Sequence, residues 1–119
     1  MSSLNKVMLI GRCGIKPEMT TTATGKRRTK LRVATDSYWR DDDGEHKATD
    51  WHNVVAWDRL AETCSQYLDV GHLVYVEGKL RSRSYKDDAG EERAIREVIA
   101  KQVSFLQPKK QAAAEAAIA

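Results

Sequence analysis

The chain has 119 residues with 20 Lys+Arg against 17 Asp+Glu, a formal net charge of +3. That length suits one domain, and a content of 41% hydrophobic and 31% charged residues is ordinary for a soluble globular protein and too apolar for disorder. The apolar run Val7-Met8-Leu9-Ile10 falls far short of the roughly 18 residues that a membrane span needs.

In chain order, Leu4 to Gly11 (LNKVMLIG) reads as a buried strand that ends in glycine. Pro17 interrupts, Glu18 to Thr24 is Thr-rich and favours extended structure, and Thr24-Gly25-Lys26 reads as a hairpin tip. Arg28 to Ser37 alternates, with Leu31, Val33 and Thr35 on one face and Arg28, Lys30, Arg32 and Ala34 on the other. This predicts a half-buried strand with a basic outer face. Arg40 to Lys47 (RDDDGEHK) is charged and contains glycine, and reads as an exposed loop. Thr49 to Trp57 is the next strand. Asp58 then suits an N-cap for a helix through Leu68, with Leu60, Cys64, Tyr67 and Leu68 on one face and Gly71 as its C-terminal cap. His72 to Lys86 is a long strand with a bend or bulge at Gly78, Asp87 to Glu91 is a turn, and Arg93 to Leu106 is the last strand. Residues 1–106 thus form the domain, and 107–119, with Pro108, two lysines and an Ala-rich end, read as a short flexible tail.

Five strands, glycine-marked bends and one helix between the third and fourth predict an all-β OB-fold, a five-stranded Greek-key barrel. Such barrels commonly bind oligonucleotides, but the residues must carry that argument. Period-2 counting places Lys79, Arg81, Arg83 and Tyr85 on one face of the fourth strand, and Arg28, Lys30 and Arg32 on one face of the second. Trp51 and Trp57 share parity in the third, and Trp39 stands where the second strand runs out. Cations pair with phosphates, and aromatic rings stack on bases that only an unpaired strand exposes. Taken singly, Trp51 or Trp57 also suits a core, and a basic row also suits a solvated edge. The coincidence of both features favours single-stranded nucleic acid. An RNA-binding or primosome-type module and a protein-interaction module remain alternatives.

Other chemistry finds little support. Cys13 and Cys64 form no CxxC, and no apolar leader begins the chain, so a reducing cytoplasm is expected. His46, His52 and His72 lack zinc-ligand spacing, and Asp41-Asp42-Asp43-Gly44-Glu45 lacks that of a calcium loop, so no metal or cofactor is expected. No phosphate-cradling or nucleophile motif points to an enzyme.

LNKVMLIG, LRVATDSYWRD, TDWHNVVAW with the following DRLAE, and VYVEGKLRSRSYKD together resemble the bacterial single-stranded DNA-binding protein family over residues 4 to 106. The resemblance implies an OB-fold homotetramer that binds and protects single-stranded DNA, with little sequence preference, in replication, recombination and repair. Its base-stacking positions correspond to Trp39, Trp51, Trp57 and Tyr85. The family often has Phe where this chain has Trp57 and Trp where it has Tyr85. Its basic contacts correspond to Lys6, Arg28, Lys30, Arg32, Arg81 and Arg83, and His52 falls near a subunit contact. A nucleoid-associated cytoplasmic location goes with this reading. Family members usually end in an acidic, apolar tip that recruits replication and repair enzymes, whereas this sequence ends Ala-Ala-Glu-Ala-Ala-Ile-Ala. A shortened chain and a short variant without that recruitment route both fit.

Overall fold

The computed structural model describes residues 2–106, so the tail expected over 107–119 lies outside the described residues. The elements are β1 (Val7–Cys13), β2 (Met19–Thr21), β3 (Arg27–Asp41), β4 (Gly44–Trp57), α1 (Asp58–Tyr67), β5 (Leu73–Lys86) and β6 (Glu92–Phe105). Five strands close a barrel in the order β1-β3-β4-β6-β5 and back to β1. The β4–β6 contact is parallel and the other contacts are antiparallel. The short β2 lies along β3 at Arg27–Thr29, beyond the two residues that β1 reaches. The helix stands between the third and fourth barrel strands, as the order of predicted elements implies.

Alternation builds the interior. Leu31 and Val33 of β3, Val54 and Ala56 of β4, Val74 and Val76 of β5 and Val98 of β6 turn inward and meet Cys13, Cys64 and Leu68. The helix closes one end of this core through Ala61, Cys64 and Leu68, all buried at helical spacing. The hydroxyl of buried Thr29 donates to the Ala61 carbonyl at 2.7 Å, and Arg27 pairs with Glu62, so β3 fixes where the helix sits. Gly78 behaves as expected. The β5–β6 register shifts between Glu77 and Gly78, leaving Lys101 as the extra residue, and a Cβ at Gly78 would strike the Ile99 carbonyl.

Several local expectations are corrected. Tyr67 is 56% exposed and meets only the edge of the core, tilted against Phe105, while Ala61 completes the buried stripe. Asp58 is the first helical residue, not the cap. Its φ of 58° is left-handed, whereas a capping residue needs extended backbone, which Trp57 has without any side-chain cap bond. Gly71, with φ of 85°, lies past the helix end at Leu68, in a turn closed by the His72 amide on the Asp69 carbonyl at 3.2 Å.

The largest correction concerns Arg40 to Lys47. This segment is no loop, because β3 and β4 stay paired out to Asp41 and Gly44. Charge composition suggests a solvated loop, but register sets opposite charges directly or diagonally across the two strands. Arg40 lies 3.7 Å from Glu45, and Lys47 lies 3.8 Å from Asp36. Asp41 closes the tip by accepting the Asp43 amide at 2.9 Å, and Gly44 supplies a φ of 117°. The result is a long two-stranded arm. The β5–β6 hairpin forms a second arm, whose tip is tied by Asp87 to the Ala89 and Glu91 amides. Arg93 reinforces this by donating to Asp87 at 2.9 Å, and these bonds hold the Asp87 carboxyl below its ordinary range.

Candidate nucleic-acid interface

Which side chains share a face follows from the ladders. Across β3 and β4, Arg28 lies opposite Trp57, Lys30 opposite Val55, Arg32 opposite Asn53 and Ala34 opposite Trp51. Across β5 and β6, Arg81 lies opposite Glu97, Arg83 opposite Ile95 and Tyr85 opposite Arg93. Residues of the other parity, among them Leu31, Val33, Val54, Val76 and Val98, fill the core, so these pairs form the outer face. The structure therefore brings Arg28, Lys30, Arg32, Trp51 and Trp57 together on one arm, with Arg81, Arg83 and Tyr85 facing outward on the other.

The aromatic side chains differ in how they are held. Trp51 is 49% exposed, with the Arg32 guanidinium 5.3 Å from its ring centroid. Its six-membered ring lies against Gly14, where a Cβ would collide with it, so the missing side chain gives the indole its seat. Tyr85 is exposed near the tip of its arm, and Trp57 is half-buried beside Arg28. Trp39 pairs with His46 rather than with a residue of the Trp51 row. In an unbroken ladder this places it on the opposite face of the arm. It stacks on His46 at 5.4 Å between centroids, and His46 is in turn fixed by Asp41 at 2.7 Å.

The cations are also not equivalent. Among the described residues, Lys30, Arg32 and Arg81 form no ion pair with a carboxylate, which leaves their charge available to an outside anion. Arg83 is anchored by Glu97, with Nε 3.2 Å from Oε1. Arg28 is partly buried, and its Nε has no hydrogen-bond partner among the described residues. Lys6 lies apart, 3.4 Å from Glu77, and lines a cavity of about 510 Å³ with Lys79 and Lys101 at the barrel end of the β5 row. Glu77 accepts from Tyr75 at 2.9 Å, and that bond with the nearby lysines lowers its carboxyl pKa and raises that of the Tyr75 phenol.

One aromatic residue escaped the sequence reading. Tyr38 is 71% exposed on the same face of the arm as Trp51, with Lys47 5.9 Å from its ring. The even count from Arg28 reaches it, but the strand expected from sequence ends at Ser37, one residue short. His52 bonds Thr35 at 2.9 Å across the arm. No cluster of three or more His, Cys, Asp or Glu that would hold a metal occurs among the described residues. Cys13 and Cys64 are free and buried, and burial pushes their thiols up to about 11 and about 12, far from nucleophilic use at neutral pH.

A surface of unpaired cations interleaved with half-exposed aromatic rings is chemically suited to an anionic polymer with free base faces. Comparison with known proteins agrees. The sequence model of the Single-strand binding protein family matches residues 4–106. Single-stranded DNA-binding protein 1 of Chlorobaculum tepidum is 41% identical over 105 residues, covering 87% of this chain and 65% of its own. The single-stranded DNA-binding protein of Neisseria meningitidis serogroup A is also 41% identical over 105 residues, covering 87% of this chain and 60% of its own. The chain thus spans less than two-thirds of the length of these relatives. The solved structure of Plasmodium falciparum SSB in complex with ssDNA superposes with a TM-score of 0.79 at 33% identity, covering 89% of this chain and 97% of that one. The barrel, its two arms and this match along nearly the whole described chain place the protein in the Single-strand binding protein family.

Proposed function

We propose that this protein binds and protects single-stranded DNA with little sequence preference, without catalysis, in replication, recombination and repair. The observation that carries the reading is the outer face of the two arms, where Trp51, Trp57 and Tyr85 stand among Arg28, Lys30, Arg32, Arg81 and Arg83. Bases stack on the rings and phosphates pair with the cations, so affinity depends on backbone and base faces rather than on base identity. Trp39, on the other face of its arm, engages a strand that wraps around the arm. Lys6, already matched by Glu77, contributes at the margin.

Titrating tryptophan fluorescence with oligo(dT) at low and high salt tests this. Quenching by oligo(dT) that salt weakens, with little response to duplex DNA, is the expected result. Absence of both quenching and an anisotropy change defeats the proposal. Tighter binding of a matched RNA oligomer transfers the face to RNA.

We further propose assembly into a homotetramer. One edge of β1 pairs with β5, while over Val7–Ile10 no strand lies along its other edge among the described residues. Met8 and Ile10 on its outer side are 62% and 60% exposed. An open strand edge with exposed apolar residues suits pairing with a second copy. Sedimentation equilibrium should give four chains for the parent and fewer for Ile10→Glu, and a monomeric parent would exclude assembly. No described helix is long and apolar enough to cross a membrane, and the cytoplasmic, nucleoid-associated location belongs to the same proposal.

A further inference from the structure

Backbone binding alone does not account for the cleft between the two arms. β4 and β6 pair only through Val54 with Val98 and Val55 with Ile99. Beyond those pairs the arms part, and a cavity of about 240 Å³ opens over the buried Leu31 and Val54, with Ile15, Val55 and Ile95 as its apolar lining. Lys30 and Arg32 stand at one side of it, Arg83 at the other, and Asn53 and Glu97 also line it. Glu97 is only 8% exposed, a carboxylate set among the cations of the outer face. Its Oε1 accepts from Arg83 Nε at 3.2 Å, and its negative charge opposes phosphate binding on this face.

The geometry points to a nucleobase subsite in this cleft, in which Glu97 favours bases that carry an exocyclic amino group. The inference rests on the single-stranded DNA reading above and sharpens it. The cavity has room for one flat ring against the apolar lining, with the adjoining phosphates over Lys30, Arg32 and Arg83. An ionised carboxylate only accepts hydrogen bonds. Cytosine presents its N4 amino group to such an acceptor, whereas thymine presents the O4 acceptor at the same place. Asn53, which both donates and accepts, tolerates either base. The cleft therefore adds a modest preference for cytosine over thymine at one position within otherwise indifferent binding.

The test compares the Kd of fluorescein-labelled oligo(dT) and oligo(dC) of equal length at one salt concentration, using the full chain and Glu97→Gln. Glutamine keeps the shape and gains a donor for thymine O4. The ratio Kd(dT)/Kd(dC) should fall by about fivefold, the size of one net hydrogen bond. Lys30→Ala should weaken both oligomers alike, since it removes only a phosphate contact. A Glu97→Gln variant that shifts both Kd values equally would make Glu97 a mere anchor for Arg83 and overturn the inference. If that variant loses its cooperative thermal transition, Asn53→Asp at the exposed wall supplies the reading instead. It should raise the ratio, and an unchanged ratio overturns the inference. A parent that binds neither oligomer defeats the underlying function rather than the base preference, so the two failures are distinguishable.

Discussion

Trp51 illustrates how a half-exposed aromatic residue is made ready for a base. Arg32 approaches its ring and Gly14 seats its edge, so little rotamer freedom remains to be lost on binding. Trp51→Ala should weaken oligo(dT) binding by about 1–3 kcal/mol, the contribution of one stacked base, with little change in Tm. Anisotropy and thermal circular dichroism read the two effects separately, and unaltered affinity would make the residue an idle surface. Gly14→Ala should act on the same ring from behind. Its methyl group displaces the indole, and weaker oligo(dT) binding with altered tryptophan emission would report it. The thiols belong to a different balance. Burial raises Cys13 from 9.0 to about 11 and Cys64 to about 12, with Asp69 adding to the first and Cys13 to the second. Well below pH 9 both folded and unfolded thiols are protonated, and they confer no pH dependence. Above about 9 the unfolded chain loses these protons first, so stability falls until the folded thiols titrate at about 11 and 12. Urea midpoints should drop across that range, and less steeply for Cys64→Ala than for the parent. Equal slopes would contradict it.

At the level of elements, the β3–β4 arm decides how the aromatic residues divide. Its ladder runs unbroken from Arg28 opposite Trp57 to Asp41 opposite Gly44, so Trp39 and Trp51 emerge on opposite faces. A strand that touches both must pass around the arm. Trp39→Ala should therefore weaken binding of long oligomers while leaving oligomers too short to wrap unaffected, whereas Trp51→Ala weakens both. A length series in oligo(dT) checks this, and equal losses at every length would place the two rings on one path. The arm was only partly legible from the sequence. Alternation from Arg28 to Ser37 marks a strand plainly, but Arg40 to Lys47 has the composition of a loop. Only cross-strand pairing, invisible along one strand, turns Arg40 with Glu45 and Trp39 with His46 into stabilising contacts. The helix was legible as an element and less so at its ends. Asp58 and Gly71 are residue types suited to caps, but the left-handed backbone at Asp58 and the Asp69–His72 turn around Gly71 are set by how the chain enters and leaves the barrel.

For the whole molecule, a formal net charge of +3 understates the field that DNA would meet. Acidic groups concentrate at the arm tips and in local ion pairs, while Lys30, Arg32 and Arg81 on the outer face have no carboxylate partner among the described residues. Binding should accordingly weaken linearly in log Kd against log salt. Lys30→Ala should reduce that slope by about 0.7, the release expected from one phosphate contact on a single strand. Lys6→Ala should change it less, because Glu77 already holds that lysine. Equal slopes for the parent and Lys30→Ala would remove Lys30 from the phosphate path.

The sequence by itself determined the class of fold, the order of barrel strands and helix, and the alternation of β3 and β5, though not that of β1, read as buried, where Met8 and Ile10 stand exposed. These follow from local periodicity and glycine placement, which each strand carries independently of its neighbours. The tertiary structure alone decided which outward residues stand side by side. Two strands joined by two residue pairs and then parting create the cleft beside Glu97. An unbroken register sends Trp39 and Trp51 to opposite faces, and a glycine distant in sequence seats an indole. Each is a relation between separate strands or loops, and period-2 counting along one chain segment has no term for it.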